Sequence, residues 1–417
     1  MSDKNLAENM KWSQWTPLKE LSPEFFASGN KLKISMGGKA NLYGKFLSEK
    51  IYISSPMLIF EASFSCENVK NEEKSVFALL NFYDSEKTML ERSYVDIITT
   101  PDGKKLYRKL AAPENTAYAI VEIGMRWSAE SAVEFNNISL REAASEPPRL
   151  VKIATTYMQQ QDTPEENLQE MIKVIEKAGA ANADVILLSE LVYESYCKDP
   201  AKISQPIPGT LTDKIGEYAK KYNSYVIFSM NESDDGAIYN TAVIIGRDGK
   251  VCGKYRKIHL PLSEAEMGVT PGDTHRVFDL DFGRIGIIIC YDQYFPENSR
   301  TLALMGAEII FNPTQGEDEV VHRAMARTNG VYVVVSGFHS GKHSRIINPL
   351  GEVISYVESK KAGYAAEQVD LNKRHFVRWM SVGAANGELR SLFQKEREIN
   401  TYGNIGKEAH KILTGEK

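Results

Sequence analysis

Three residues of different chemistry stand at the ends of strand-like runs: Glu190 after "DVILLS", Lys257 in "KYRKIHL" and Cys290 after "RIGIII". A carboxylate beside a thiol takes its proton, and the thiolate is the attacking species. A nearby ammonium favours that thiolate and stabilises the oxyanion that forms when a carbonyl is attacked. Base, electrophilic clamp and nucleophile are the minimum set for acyl transfer through a covalent intermediate, and no metal or other cofactor is expected. Singly, each residue has a plainer reading. Cys290 could be a small core hydrophobe, Glu190 a loop carboxylate on backbone amides, and Lys257 part of a solvated basic run, "KYRK". Their shared position at strand ends, where α/β sheets bind ligands, favours the chemical reading.

The elements that must hold them change character along the chain. Up to about Ala144, runs such as "KLKIS", "IYISSPMLIFEASFSC", "SVFALLNFYD", "AYAIVEIGMRW" and "AVEFNNISLREA" alternate with turn-formers. This spacing predicts an all-β sandwich over residues 1–146. Pro147 and Pro148 in "SEPPRL" break the pattern and mark the boundary. In the second domain, 147–417, strands alternate with helices, which predicts an α/β fold with mixed sheets. "DTPEENLQEMIKVIEKAGA" reads as a helix with Thr163 at the N-cap, Pro164 at N1, Glu166 closing a capping box and Gly179 near the stop. "GAIYNTAVIIGRDGKVCGKYRKIHL" reads as a hairpin turning at "RDGK", and "NSRTLALMG" and "EVVHRAMARTN" read as helices.

Bulk properties bound the function. A chain of 417 residues exceeds one ordinary core, in keeping with two domains. A net charge of -5 gives no electrostatic reason to expect nucleic acid or an anionic membrane as partner. No run approaches the roughly 20 apolar residues of a membrane span, and "MSDKNLAENMKWSQW" lacks an apolar signal core, so a cytoplasmic location is expected. Cys66, Cys197, Cys252 and Cys290 show neither CxxC nor Cys/His ligand spacing, which fits reduced thiols rather than a disulfide framework or zinc site.

From about Arg149 to Tyr402 the chain resembles the nitrilase superfamily, carbon–nitrogen hydrolases with a Glu–Lys–Cys triad. "ILLSELVY" surrounds Glu190, "YRKIHLP" surrounds Lys257 and "GIIICYDQYFPE" surrounds Cys290, in the family's order. "GVTPGD", "GAEIIFNPT", "HRAMARTNGVYVV" and "SRIINPLGEVI" follow the family pattern as well. The resemblance implies an αββα sandwich, two mixed sheets face to face with helices outside. It implies that Cys290 is the nucleophile, Glu190 the general base and acid, and Lys257 the oxyanion stabiliser, with the Tyr291 main-chain N–H as a second donor. A further carboxylate in such enzymes positions substrate. Here Glu264 and Glu266 both qualify, with Glu264 preferred because it leaves a longer loop before Gly268.

Where nitrilases typically read Cys-Trp-Glu, this chain reads Cys290-Tyr291-Asp292, closer to amidases and N-carbamoyl amine hydrolases. An amide or N-carbamoyl substrate, releasing ammonia, is therefore expected. An acyltransferase using the same acyl-enzyme, or a glycan-binding protein with a scaffold α/β domain, are the alternatives. Tyr193, Tyr196, Gln293, Tyr294 and Gln315 are candidate pocket residues, Gln315 the strongest because it follows a strand. His259 suggests a structural hydrogen bond, Arg323 and Arg327 salt-bridge partners on one helix face. Cys197, near Glu190, ranks below Cys290 as nucleophile, and Cys66 and Cys252 read as strand fillers. The first domain resembles jelly-roll, galactose-binding-like modules appended to enzymes, with Trp12, Trp15 and Trp127 as stacking or packing residues. The tail "RSLFQKEREINTYGNIGKEAHKIL" resembles the family's C-terminal arm, so a homodimer or larger homo-oligomer is expected.

Overall fold

Alternation governs the strand Met57–Glu67, in which Leu58, Phe60, Ala62 and Phe64 are buried and their neighbours are not. One face of a strand that reads this way must be covered by another layer. In the computed structural model that layer is a second sheet. The structure describes residues 5–8, 10–29, 31–194, 197, 199–316, 318–337, 344–358, 362–378, 385–403 and 405. The chain forms two compact units, Met1–Glu146 with Phe376–Lys417, and Pro147–His375.

In the first unit a six-stranded sheet contains Met57–Glu67, Ala132–Glu142 and Gly103–Ala111, and an eight-stranded sheet contains Tyr43–Ser48, Val76–Tyr83 and Tyr118–Arg126. Leu58, Phe60 and Phe135 from the former share one core with Phe46, Leu80, Phe82 and Ile123 from the latter. Trp12 packs against this core, whereas Trp15 and Trp127 flank Tyr43 in an exposed aromatic cluster.

The second domain does not run to 417 as its sequence pattern suggested. The chain returns to the first unit after His375, because the strand Asn386–Glu388 extends the edge of the eight-stranded sheet beside Met89–Tyr94 and Phe376–Arg378 pairs with it. The helix Leu389–Lys395 then buries Leu389 and Leu392, and Arg108 pairs with Glu388. The tail from 406 onward lies outside the described residues.

The second unit holds two six-stranded mixed sheets. The first is built from β1 (Leu150–Tyr157), β2 (Val185–Leu187), β3 (Tyr225–Asp234), β4 (Ala237–Ile245), β5 (Val251–Arg256) and a late strand, Gly363–Asp370; its order is β5-β4-β3-β2-β1-Gly363–Asp370. The second runs β6 (Val277–Leu280), β7 (Gly283–Ile287), β8 (Ile309–Pro313), β9 (Tyr332–Ser336), β10 (Arg345–Ile347), β11 (Val353–Tyr356) in sequence order. β1, β2 and β3 are parallel, as are β7, β8 and β9. Alternate residues face two ways. Ile153, Val185, Leu187 and Ile227 meet Ile285, Ile287, Ile309 and Phe311 in one cluster. Ile186, Val226 and Phe228 instead meet Met171 and Val174 of α1 (Pro164–Ala180) and Leu211 and Ile215 of α2 (Thr210–Tyr222). Ile310, Val333 and Val335 likewise meet Leu302 of α3 (Pro296–Leu304) and Met325 of α4 (Glu319–Asn329).

The capping box on α1 forms as its sequence predicts, with the Thr163 hydroxyl accepting from Glu166 N–H at 3.2 Å. Gly179 lies near the end of that helix as expected, one residue before its last, Ala180, and it has a packing role as well. A Cβ there would lie 2.5 Å from Tyr222 Cγ on α2, so glycine permits close helix approach. Overpacking costs about 1–3 kcal/mol, more than the roughly 0.5–1 kcal/mol of helix propensity that alanine recovers. Gly179→Ala is therefore expected to lower the thermal midpoint of the second unit, measured by calorimetry; an unchanged or higher midpoint would contradict the packing role.

Candidate active site

β2 ends at Leu187, and two further buried residues carry the chain to Glu190, itself buried. β5 ends at Arg256, one residue before the fully buried Lys257. Lys257 Nζ donates to Glu190 Oε1 at 2.9 Å and to Glu264 Oε1 at 2.5 Å. Glu264 arrives on the short helix Leu262–Glu266. Asn240 on β4 donates through Nδ2 to Glu190 Oε1 at 2.9 Å and to Glu264 Oε2 at 3.5 Å. The Gln315 main-chain N–H, just past β8, donates to Glu190 Oε2 at 3.2 Å. Strands from both sheets thus deliver groups to one buried cluster.

Cys290 does not close a strand. β7 stops at Ile287, and Cys290 opens the tight turn Cys290–Tyr294 with φ at 45°. A side-chain-bearing residue in this left-handed region costs on the order of 1–3 kcal/mol and persists only where its surroundings enforce it. Cys290 N–H donates to Asn312 Oδ1 at 2.9 Å, and Asn312 Nδ2 lies 2.8 Å from His322 Nε2. Buried Asp292 clamps the turn from within: it accepts from Ile289 N–H at 3.0 Å, His259 N–H at 2.9 Å and the Tyr255 hydroxyl at 2.8 Å. His259 also places Nδ1 2.9 Å from Asp292 and stacks on Phe295 at 3.8 Å, in the structural role expected of it.

The electrostatics follow from burial. Burial pushes the Cys290 thiol up to about 12, and the Glu190 charge adds to this, while Lys257, the Thr314 hydroxyl and the Gln315 main chain act against it. Burial opposes the Lys257 charge, but Glu190, Cys290 and Glu264 together hold its pKa above the ordinary lysine value. Burial raises the Glu264 carboxyl, with Lys257 pulling it down and Glu190 pushing it up. One ammonium between two carboxylates therefore leaves an excess of negative charge beside a thiol, and that thiol resists losing its proton to solvent.

The other candidates divide. Gln315 is at the cluster through its main chain, and Gln293 is buried with Oε1 lacking a partner among the described residues. The Tyr291 ring is exposed and packs on Tyr294 and Phe295. Glu266 is exposed on the helix that carries Glu264, because only one face of that turn meets Lys257. Tyr193 packs against the core under α1 and α2, and Tyr196 lies outside the described residues. Arg323 pairs with Glu319 at 3.5 Å, as expected, and also donates to Gly351 O at 2.8 Å, while Arg327 donates to Leu350 O at 3.0 Å. Cys66 is a partly buried filler, but Cys252 is exposed. Sequence reasoning missed Asn240, Asn312 and Asp292; the signal was a polar residue interrupting "AIYNTAVII", "EIIFNP" and "IIICYD".

Residues 152–378 match the family model for carbon-nitrogen hydrolases. A nitrilase of Pyrococcus abyssi is 33% identical over 266 residues, covering 60% of this chain and 98% of its own. The human omega-amidase NIT2 is 30% identical over 247 residues, covering 53% of this chain and 89% of its own. Among solved structures, a carbon-nitrogen hydrolase from Helicobacter pylori G27 superposes with a TM-score of 0.51 at 21% identity, over 62% of this chain and 99% of its own. An amidase from Nesterenkonia sp. AN1 gives 0.52 at 18% identity, over 63% and 99%; both likenesses concern the fold. The chain belongs to the carbon–nitrogen hydrolase family.

Removing one partner from a buried ion cluster costs about 3–5 kcal/mol, because the remaining charge has no counter-ion. Lys257→Met leaves Glu190 and Glu264 in that position. The Glu264 carboxyl, already raised by burial, would then lose the pull of Lys257 and titrate further above its unfolded value, so stability is lost as pH rises through the range between the two. The variant is expected to melt below the parent, by more at pH 8 than at pH 5. A pH-independent deficit would contradict the charge account.

Proposed function

We propose that the second unit hydrolyses a non-peptide C–N bond of an amide or N-carbamoyl amine through a thioester-type intermediate on Cys290, releasing ammonia. The observation that carries this reading is the Lys257 ammonium bonded to both Glu190 and Glu264, next to a half-buried thiol on an enforced turn. A thiol pushed up to about 12 is not a resting thiolate. Passing its proton to Glu190 keeps the net charge of the cluster unchanged, whereas release to water would add a negative charge to a buried site. The proton therefore moves to Glu190 as Cys290 Sγ bonds to the substrate carbon. The developing oxyanion rests against Lys257 and the Tyr291 main-chain N–H. The C–N bond breaks as Glu190 returns the proton to the leaving nitrogen, and ammonia departs. Glu190 then takes a proton from water, whose oxygen attacks the thioester carbon, and Cys290 leaves as the thiol on receiving that proton.

Glu264 and Asn240 orient Glu190 and Lys257 in this scheme, and Glu264 meets the substrate. The Cys290-Tyr291-Asp292 sequence favours amides, in agreement with the named activity of the omega-amidase relatives, and the Pyrococcus nitrilase keeps nitriles within the test. The same proposal includes the αββα sandwich for the second unit, a jelly-roll, galactose-binding-like architecture for the first, and assembly as a homodimer or larger.

The test is ammonia release from primary amides, N-carbamoyl amines, N-carbamoyl amino acids and nitriles. Turnover of amides or N-carbamoyl compounds is expected, falling by about 10³-fold or more in Cys290→Ala, whose circular dichroism should match the parent. Comparable turnover by that variant would refute the role of Cys290. Ammonia release without acid product, stimulated by added amines or thiols, would replace hydrolysis by acyl transfer.

A further inference from the structure

Two buried polar side chains in series link the Cys290 turn to α4. Cys290 N–H donates to Asn312 Oδ1 at 2.9 Å, and Asn312 Nδ2 lies 2.8 Å from His322 Nε2. Asn312 lies in β8 and His322 in the first turn of α4, and neither residue has exposed surface. The helix is aimed by its N-cap: the Asp318 carboxylate accepts from Val320 N–H at 3.0 Å and Val321 N–H at 3.3 Å. His322, Met325, Ala326 and Asn329 then form its buried face, and Val320 is left exposed.

Donor and acceptor roles along this series are fixed by chemistry. A main-chain N–H only donates, so the Asn312 atom that faces Cys290 must be its oxygen. The amide nitrogen then faces His322, and because it too only donates, Nε2 must offer its lone pair. The neutral imidazole meets this demand with its proton on Nδ1. A proton on Nε2 would set donor against donor across 2.8 Å. Turning the Asn312 amide over would move the same conflict to Cys290 N–H. Either way a buried donor loses its acceptor, which costs stability.

We infer that His322 is a positioning residue for the nucleophile: by accepting at Nε2 it orients the Asn312 amide, and through that amide it holds the left-handed turn at Cys290. This rests on the reading of Cys290 as nucleophile. The turn needs such support because Cys290 has φ at 45°, where a side-chain-bearing residue is strained. An Asn312 amide free to turn releases Cys290 N–H, and the backbone relaxes toward a commoner conformation. Sγ and the neighbouring Tyr291 N–H, the proposed oxyanion donor, then leave their places together. Their displacement slows the chemical step, whereas substrate affinity changes little. His322 acts through Asn312 and not on the reacting atoms.

The experiment has two readouts on the full chain. Nitrogen NMR of the imidazole rings at neutral pH, with the His322 signal identified by its loss on substitution, should show a neutral ring protonated at Nδ1 and bare at Nε2. An Nε2–H tautomer or an imidazolium would overturn the inference, and no substrate enters this measurement. The second readout is kcat and KM on an amide found by ammonia release. His322→Gln keeps an acceptor oxygen for Asn312 Nδ2, and His322→Leu fills the space without one. The kcat of His322→Gln is expected to exceed that of His322→Leu by at least about fivefold, with KM in both within about threefold of the parent. A smaller ratio assigns His322 to packing, and a change confined to KM assigns it to substrate binding; each overturns the inference. Should His322→Leu lack cooperative unfolding, His322→Met is read by the same criterion. Turnover by Cys290→Ala equal to the parent would instead remove the nucleophile reading, and the positioning role with it, whatever the tautomer.

Discussion

The buried ammonium of Lys257 is the constraint on which the second unit turns. A fully buried lysine is tolerable only with charged partners in direct contact, and here two carboxylates meet it, one from the end of β2 and one from the helix after β5. Asn240 touches both carboxylates, so the acids cannot move apart without breaking its bonds as well. The cluster in turn fixes where β2, β4 and β5 must end relative to one another. Sheet register and charge pairing thus specify the same geometry.

Charge count also dictates how the thiol behaves. With two acids and one base already buried, a further free negative charge is disfavoured, and the thiol stays protonated at rest. In the proposed reaction, turnover then depends on an internal proton transfer, which needs sulfur and carboxylate held at close range. Cys290 sits in a left-handed turn, and Asn312 and Asp292 hold that turn against its own strain. Ile285, Ile287 and Ile309 on one side, and Ile288 and Ile310 on the other, anchor this arrangement between the layers.

Much of this was legible in the sequence because the relevant signals are local. The helix α1 announces itself through Thr163, Pro164 and Glu166, and the β4–β5 hairpin through "RDGK", whose Gly249 has φ at 84°. Glu190, Lys257 and Cys290 were visible as reactive side chains at the ends of strand-like runs. What was hidden depends on contacts distant in sequence. Asn240 and Glu190 are fifty residues apart and meet only when β2 and β4 flank β3. The choice between Glu264 and Glu266 rests on which side of one helical turn faces Lys257, a rotation that spacing alone does not specify. The return of Phe376–Arg378 and Asn386–Glu388 to the first unit depends on an open sheet edge more than 280 residues upstream, since Asn386 pairs with Glu91. Gly179 was legible as a residue near the helix end, but its packing role was not, because its partner Tyr222 belongs to another helix.

The central claim is that Cys290, and no other thiol, carries the acyl group during turnover. The direct measurement is intact-protein and peptide mass spectrometry of the enzyme quenched in acid during steady-state turnover of an amide substrate found by ammonia release. The account predicts an acyl mass increment on the peptide containing Cys290, absent in Cys290→Ala and discharged when the enzyme is returned to neutral buffer. An adduct on Cys197, Cys252 or Cys66, or full turnover with Cys290 unmodified throughout, would contradict it.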